Sequence, residues 1–197
     1  LAWIGQHAAA IDSATQALSA PKIKPAEQMS LLDLRAESCI AIGKLDLAMK
    51  DAKAMMKLAK DGGRVAPRTL RGVSRPQLEA QALNRLALVQ MRTGDLKGAV
   101  KSATTAVKTK HNSPALRADS LYRLAEAQFR IRQSETAIET AQKAIALYQE
   151  LGDSSGAGRV YWVIATAFFH LNRAEDSRRA AQTALDLCGQ TGDQFGI

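Results

Sequence analysis

The chain is poor in the residue types that build β-sheet cores and disulfide frameworks. Aromatic residues make up only 5% of its 197 residues, and there are 5 prolines and 2 cysteines. So few aromatic residues and prolines argue against a β-sandwich or a β-barrel. Two cysteines cannot form a disulfide framework, so we expect a reducing compartment, namely the cytoplasm. No run of 18 or more apolar residues occurs, and we therefore expect no insertion into a membrane.

The first residues also lack the features of a leader sequence. Residues 1–7 contain no initiating methionine, no basic region and no long apolar region. We therefore expect the chain to be a piece of a longer protein. The chain as a whole has 46% hydrophobic and 23% charged residues, which is enough for a packed core. Its net charge of +8 permits an anionic partner but does not identify one.

One pattern of residues recurs along the chain. Each copy has an apolar helix, a polar turn and a second helix with small residues at helical spacing. The small residues that open the second helices are 38, 51, 38 and 40 residues apart: Ala10, Ala48, Ala99, Ala137 and Ser177. Steps of three and four residues place such side chains on one helical face. One hairpin of two helices cannot bury its apolar face alone, so neighbouring hairpins must stack.

This pattern resembles the tetratricopeptide repeat family, and in particular its long-repeat subclass. One full copy carries the resemblance in Leu83, Leu86-Ala87, Gly94-Asp95, Ala99, Ala103 and Ala106-Val107. The resemblance implies an all-α fold, an α-solenoid in which antiparallel helix hairpins form a right-handed superhelix. The sequence departs from the family at Arg35, where a large apolar residue is expected. Arg132 and Asn172 also replace the turn glycine that is present in the other copies.

We predict a single repeat array over residues 1–197. A partial repeat occupies 1–20, and full repeats occupy 26–60, 77–110, 114–151 and 154–190, with 191–197 starting the next repeat. Within them, second helices are predicted at 6–20, 44–60, 95–110, 134–151 and 174–190, and first helices at 26–42, 77–93, 114–131 and 156–171.

The longest interval between copies places an insertion at residues 61–76. Its glycines and prolines are typical of a loop. Its four arginines make it a candidate anion-binding loop: Arg64, Arg68, Arg71 and Arg75. It has no interleaved aromatic side chains on which bases could stack, which argues against nucleic acid as the partner. The alternative is a solvated loop without a ligand.

The sequence predicts no catalytic site, no cofactor and no metal site. The three histidines, His7, His111 and His170, have no metal-ligand spacing on one helix. The glycine-rich segment 152–159 lacks the preceding strand and the following Lys-Ser/Thr of a phosphate-binding loop, so we interpret it as a turn between repeats.

The first helices of a stacked hairpin array line its concave face. Guanidinium groups there can pair with carboxylates, and aromatic rings add apolar anchoring. Arg85 and Arg123 hold the same position in successive repeats, as do Arg92 and Arg130. The alternative is that these arginines are solvated or pair with Glu126 and Asp119. The candidate groove residues are Asn84, Arg85, Arg92, Tyr122, Arg123, Glu126, Arg130, Trp162 and Thr166.

We therefore predict a non-catalytic scaffold that binds a protein or peptide in this groove. An acidic segment with apolar anchors suits the arginines and aromatic rings, and a homodimer is left open. The alternative is a regulatory or dimerising segment of a larger bacterial signalling protein. Residues 82–87, 122–130 and 192–196 resemble the repeat regions of bacterial adenylate and guanylate cyclases, and also those of transcription regulators.

Overall fold

The computed structural model describes residues 5–61 and 73–191. All regular secondary structure within these residues is helical, and no helix end differs from its predicted position by more than about two residues. The helices are α1 (His7–Leu18), α2 (Pro25–Ala41), α3 (Leu45–Asp61), α4 (Arg75–Thr93), α5 (Leu96–Lys108), α6 (Pro114–Arg130), α7 (Ser134–Glu150), α8 (Ser154–His170) and α9 (Ala174–Thr191).

The helices are grouped in two compact units, Leu1–Asn112 and Ser113–Ile197. In the first unit, helices α1 to α5 pack each against the next, and α2 also contacts α4. In the second unit, α6 to α9 pack in the same way, and α6 also contacts α8. Consecutive helices thus form hairpins, and first helices of neighbouring hairpins meet. The predicted all-α helical repeat is confirmed.

Fully buried alanines lie where the helices pack against each other. In the first unit Ala36, Ala48 and Ala52 are fully buried, and in the second unit Ala125 and Ala141 are. A side chain of one carbon lets two helix backbones approach closely while larger residues fill the gaps beside it. The core of each unit therefore depends on small residues at fixed helical spacing, as the repeat pattern predicts.

The contact between α8 and α9 is closer still because α8 has a glycine there. A Cβ atom placed on Gly158 would lie 2.6 Å from the Sγ atom of Cys188. Further along the same pair, the Ser177 hydroxyl donates a hydrogen bond of 2.8 Å to the carbonyl of Ala165. The two contacts run in opposite order along the helices, so α8 and α9 are antiparallel.

The turns within the hairpins share one backbone conformation despite their different residues. Gly43 and Gly94 have φ angles of +77° and +86°. Arg132 and Asn172, which replace the glycine in the last two hairpins, have φ angles of +67° and +55°. All four residues are left-handed, which is the usual way to end a helix. The departure from the family pattern therefore changes the residue but not the geometry of the turn.

Arg35, the other departure, forms a nearly buried ion pair. Its Nε and Nη2 atoms donate to the Oδ2 and Oδ1 atoms of Asp51 at 2.8 and 2.6 Å. Its Nη1 atom donates to the Thr15 hydroxyl at 2.9 Å. This one side chain on α2 therefore connects α1 and α3. The Asp51 side chain is only 3% exposed, and it raises the pKa of the Arg35 guanidinium through their hydrogen bonds despite the opposing effect of burial.

The candidate anion-binding loop falls largely outside the described residues, which include only Arg75 of its four arginines. Arg75 is the first residue of α4. Ser74 caps this helix by accepting from the Gln77 amide, and the Gln77 side chain accepts from the Ser74 amide in return. This capping box starts the helix before the predicted end of the loop.

The alanine contacts are tested by enlarging one of them. Ala141 is fully buried on α7, so Ala141→Leu forces extra atoms into a packed contact and should lower the free energy of unfolding by about 1–3 kcal/mol. Ala146 is exposed on the same helix, and Ala146→Leu serves as the control. Urea unfolding measures both variants. Equal stability of the two would contradict the contact between α7 and its neighbours.

The ion pair of Arg35 is tested by removing one partner and then both. Asp51→Ala leaves a nearly buried guanidinium without its carboxylate and should cost roughly 3–5 kcal/mol of stability. Arg35→Leu combined with Asp51→Ala removes both charges and restores the apolar residue of the family pattern, so it should cost clearly less. Thermal and urea unfolding compare the two. If the double variant is as unstable as Asp51→Ala, the loss of stability in the single variant does not come from the unpaired charge of Arg35.

Candidate functional site

The first-helix face of the first unit is electrostatically neutralised. On α4, the Arg85 Nε atom donates to Asp33 Oδ1 at 2.6 Å, and its Nη2 atom donates to Glu37 Oε2 at 3.4 Å. Gln81 donates to the other oxygen of Asp33 at 3.2 Å. Both carboxylates belong to α2, so they set the register of α2 against α4. Arg85, a predicted groove residue, is therefore engaged within the chain.

The other two predicted groove residues of this unit differ in burial. Arg92 is exposed in the last turn of α4. Asn84 is only 8% exposed, and neither its amide nitrogen nor its oxygen has a hydrogen-bond partner within the part of the chain that the structure describes. Buried polar groups are normally paired, so Asn84 is an unusual residue of this helix.

On α6 of the second unit, one buried carboxylate serves two arginines. The Glu126 Oε2 atom accepts from Arg123 Nη1 at 3.0 Å, and its Oε1 atom accepts from Arg130 Nη2 at 3.2 Å. The Arg123 guanidinium also lies 4.6 Å from the centre of the Tyr122 ring, at cation–π distance. Two guanidinium groups share one carboxylate, so this group of side chains has a net positive charge.

Tyr148, on α7, contacts both neighbouring helices of the second unit, α6 and α8. Its hydroxyl, on α7, donates to Asp119 Oδ1 of α6 at 2.5 Å. Its ring lies against Gly156 at the start of α8, where an added Cβ would come within 2.4 Å of it. Burial raises the pKa of the Tyr148 hydroxyl, and the neighbouring Asp119 carboxylate raises it further. Tyr148 therefore remains a neutral donor in the folded chain at physiological pH.

The corresponding face of α8 is exposed and aromatic. A shift of 40 residues takes Tyr122 to Trp162 and Phe129 to Phe169. On α6, Phe129 is half-buried: it packs against the core of the unit, and the ring of His170 lies tilted against it with the centroids 4.9 Å apart. On α8, Trp162 is 45% exposed and Phe169 is 69% exposed. Within the described residues, no helix covers this aromatic face of α8.

The sequence identified only part of the aromatic face. Trp162 and Thr166 were predicted groove residues, and the structure places both on α8. The Thr166 hydroxyl donates to carbonyls of its own helix. Phe169 was missed, although it follows Trp162 by seven residues and so shares its helical face. The same 40-residue shift that relates the repeats would have found it.

No helix within residues 5–61 and 73–191 is long and apolar enough to cross a lipid bilayer. Over the same residues, no three His, Cys, Asp or Glu side chains are grouped so that they could hold a metal ion.

Comparison with known proteins supports the repeat interpretation. Residues 118–153 match the model of the tetratricopeptide repeat, which confirms the predicted resemblance to that family. No curated protein matches the chain by sequence.

Solved structures share the fold at low sequence identity. Aspartyl phosphate phosphatase F from Bacillus subtilis aligns with a TM-score of 0.72 and 15% identity over 97% of this chain, which spans about half (51%) of that protein. Bacillus thuringiensis PlcR, in complex with the peptide PapR7 and DNA, aligns with a TM-score of 0.72 and 16% identity over 95% of this chain and 66% of its own. A Podospora anserina protein with nearly identical TPR-like repeats aligns with a TM-score of 0.59 and 16% identity over 95% of this chain and 89% of its own.

The role of Tyr148 predicts a specific response to alkaline pH. Its pKa is raised above the ordinary value of 10.0 in the folded chain and returns to 10.0 when the chain unfolds. Its stabilising effect is therefore complete below pH 10.0 and is lost as the pH rises further, because the unfolded chain releases the proton first. At neutral pH, Tyr148→Phe should cost about 1.5–3 kcal/mol through the lost bond to a carboxylate.

The measurement is urea unfolding of the wild type and Tyr148→Phe across alkaline pH. The stability difference between them should shrink as the pH rises. Tyr161→Phe is the control, because Tyr161 on α8 makes no hydrogen bond to a carboxylate within the described residues. A difference that stays constant with pH would contradict the Asp119 contact.

Proposed function

We propose that the chain is a non-catalytic protein-interaction module that binds a partner segment on the first helices of its second unit. The observation that carries this proposal is the aromatic face of α8, formed by Trp162, Thr166 and Phe169. Large aromatic side chains in the centre of a contact supply much of the binding energy of protein interfaces. Exposed aromatic residues grouped on one helix are therefore a natural docking surface.

The charges on the first helices of this unit favour an acidic partner segment, because α6 has three arginines against two acidic residues. Helix α8 contains Arg159 and no acidic residue from Ser154 to His170. On the neighbouring helix α6, Arg123 and Arg130 share the single carboxylate of Glu126. A ligand carboxylate could pair with the guanidinium surface that Glu126 leaves available, since Arg130 is 32% exposed in its side chain. An apolar side chain between Trp162 and Phe169, with an acidic residue beside it, fits both features.

The arginines of the two units contribute differently to this proposal. Arg85 is held by Asp33 and Glu37 on α2, so a ligand would have to displace two carboxylates to reach it. Arg123 and Arg130 have one carboxylate between them. We therefore assign the partner site to the second unit, and Asn84, Arg85 and Arg92 become secondary candidates.

A second function is supported by the lengths of the structural relatives. The chain corresponds to 51% of the aspartyl phosphate phosphatase and 66% of PlcR. PlcR was crystallised with a peptide and DNA, so a repeat fold of this kind occurs in a protein whose ligands include both. The chain would then be the regulatory segment of a larger signalling protein, and its partner could be another part of that protein.

The proposal is tested with peptides selected on the chain itself. A phage library of random peptides is selected on the wild type alone, and every enriched peptide is then measured on both the wild type and the double variant Trp162→Ser/Phe169→Ser. The enriched peptides should contain apolar and acidic residues together. Loss of aromatic anchors should weaken binding by about 2 kcal/mol or more, which is roughly 30-fold. Fluorescence anisotropy of labelled peptides gives the dissociation constants.

Leu151→Ser is the matched control, because Leu151 is 43% exposed in the same unit but follows α7. The double variant Arg123→Gln/Arg130→Gln should bind acidic peptides more weakly than the wild type, and this binding should depend less on salt. Peptides that bind the serine variant as well as the wild type would refute the aromatic face as the site.

A further inference from the structure

The excess positive charge of the chain is confined to one of its two units. Residues 1–112 contain 18 Lys and Arg against 9 Asp and Glu, whereas residues 113–197 contain 9 against 10. The division of the chain at residue 112 is seen in the structure and not in the repeat pattern. A polyanionic partner, which needs a large excess of positive charge, would therefore bind the first unit, away from the aromatic face of α8.

Helix α3 presents this charge as a regular row. Its exposed lysines follow one another at steps of three, four and three residues: Lys50, Lys53, Lys57 and Lys60. The opposite side of the helix is buried and carries Ala48, Ala52, Met55 and Ala59. At 1.5 Å per residue, the four lysines extend over about 15 Å.

Helix α5 carries a second row of the same kind. Lys97, Lys101 and Lys108 are exposed, and the buried side of the helix carries Ala99, Ala103 and Ala106. Both α3 and α5 pack against α4 within the first unit. We call the seven residues of the two rows the lysine surface.

The lysine surface is not neutralised by the chain. None of the seven lysines forms an ion pair with a residue that the structure describes. The acidic residues of these helices are engaged elsewhere or lie at the ends. Asp51 is bound to Arg35, and Asp95 accepts the Gly98 amide as the N-cap of α5. Asp46 and Asp61 occupy the first and last turns of α3.

We propose that the lysine surface binds the phosphate backbone of a nucleic-acid duplex without reading its bases. Lysine is a compact point charge that pairs with phosphate oxygens, and neutralising several phosphates is sufficient for sequence-independent binding. Rows of one sign along two helices suit a polymer of regularly spaced charges. The sequence argued against nucleic acid because the 61–76 loop has no aromatic residues on which bases could stack. Binding to the phosphate backbone does not require such residues.

Two other partners fit the lysine surface less well. Protein interfaces are depleted in lysine and rely on aromatic and arginine anchors. Peripheral membrane helices add apolar side chains that enter the lipid. The exposed large hydrophobic residues among those described in the first unit are Leu34, Ile42 and Val73, and none belongs to α3 or α5.

The test measures binding of a fluorescein-labelled DNA duplex of about 20 base pairs by anisotropy, at salt concentrations from about 50 to 200 mM. The surface variant replaces Lys50, Lys53, Lys57 and Lys60 with glutamine. A plot of log affinity against log salt concentration has a negative slope, and each lost phosphate contact should make it less steep by about one. The slope of the variant should therefore be less steep than that of the wild type by about three to four. We expect at least a tenfold loss of affinity at the lower salt concentration.

A control variant removes the same charge elsewhere, at the exposed residues Lys22, Lys24, Arg132 and Lys143. Circular dichroism and thermal unfolding establish that both variants are folded. Vesicles of phosphatidylcholine with and without phosphatidylserine form the second arm. Equal affinities of the two variants for the duplex would overturn the proposal, and so would binding to anionic vesicles without binding to the duplex.

Discussion

The structure depends on the close approach of helix backbones at alanine and glycine. Fully buried alanines occur in the helix contacts of both units, and Gly158 lets α8 come within reach of the Cys188 sulfur. Such contacts tolerate little change in volume, because protein interiors are densely packed. They also fix the rotation of each helix about its axis. Once that rotation is fixed, every other side chain of the helix is assigned to a face.

Small residues allow helices to pack closely but do not select one register among several. In this chain, polar contacts select the register. In the first unit, Arg35 connects α1, α2 and α3 through Asp51 and Thr15. In the second, Tyr148 connects α6, α7 and α8 through Asp119 and the surface of Gly156. Hydrogen bonds need a specific geometry, so these two groups discriminate among registers that alanine contacts alone would allow.

The helices were predictable from the sequence because their signals are local: apolar spacing, caps and turn residues lie within a few positions of each other. The charge pairs were not, because their partners are distant in sequence. Arg85 binds Asp33, 52 residues away, and Arg35 binds Asp51, 16 residues away. Periodicity shows that Arg85 and Arg123 hold one position, but not which carboxylate faces each. Phe169 was accessible to sequence reasoning, since the repeat shift relates it to Phe129.

Packing leaves part of the surface of these helices unconstrained, and this chain uses the unconstrained parts differently in its two units. On α3 and α5, the alanine-bearing side is fixed by packing, so the outward side could accumulate lysines without cost to the core. On α8, one side carries Trp162 and Phe169, which are largely exposed within the described residues. Exposed aromatic rings contribute little to stability unless they are covered. On the proposal made above, a partner segment would cover these rings and supply the burial that the unit itself does not give them.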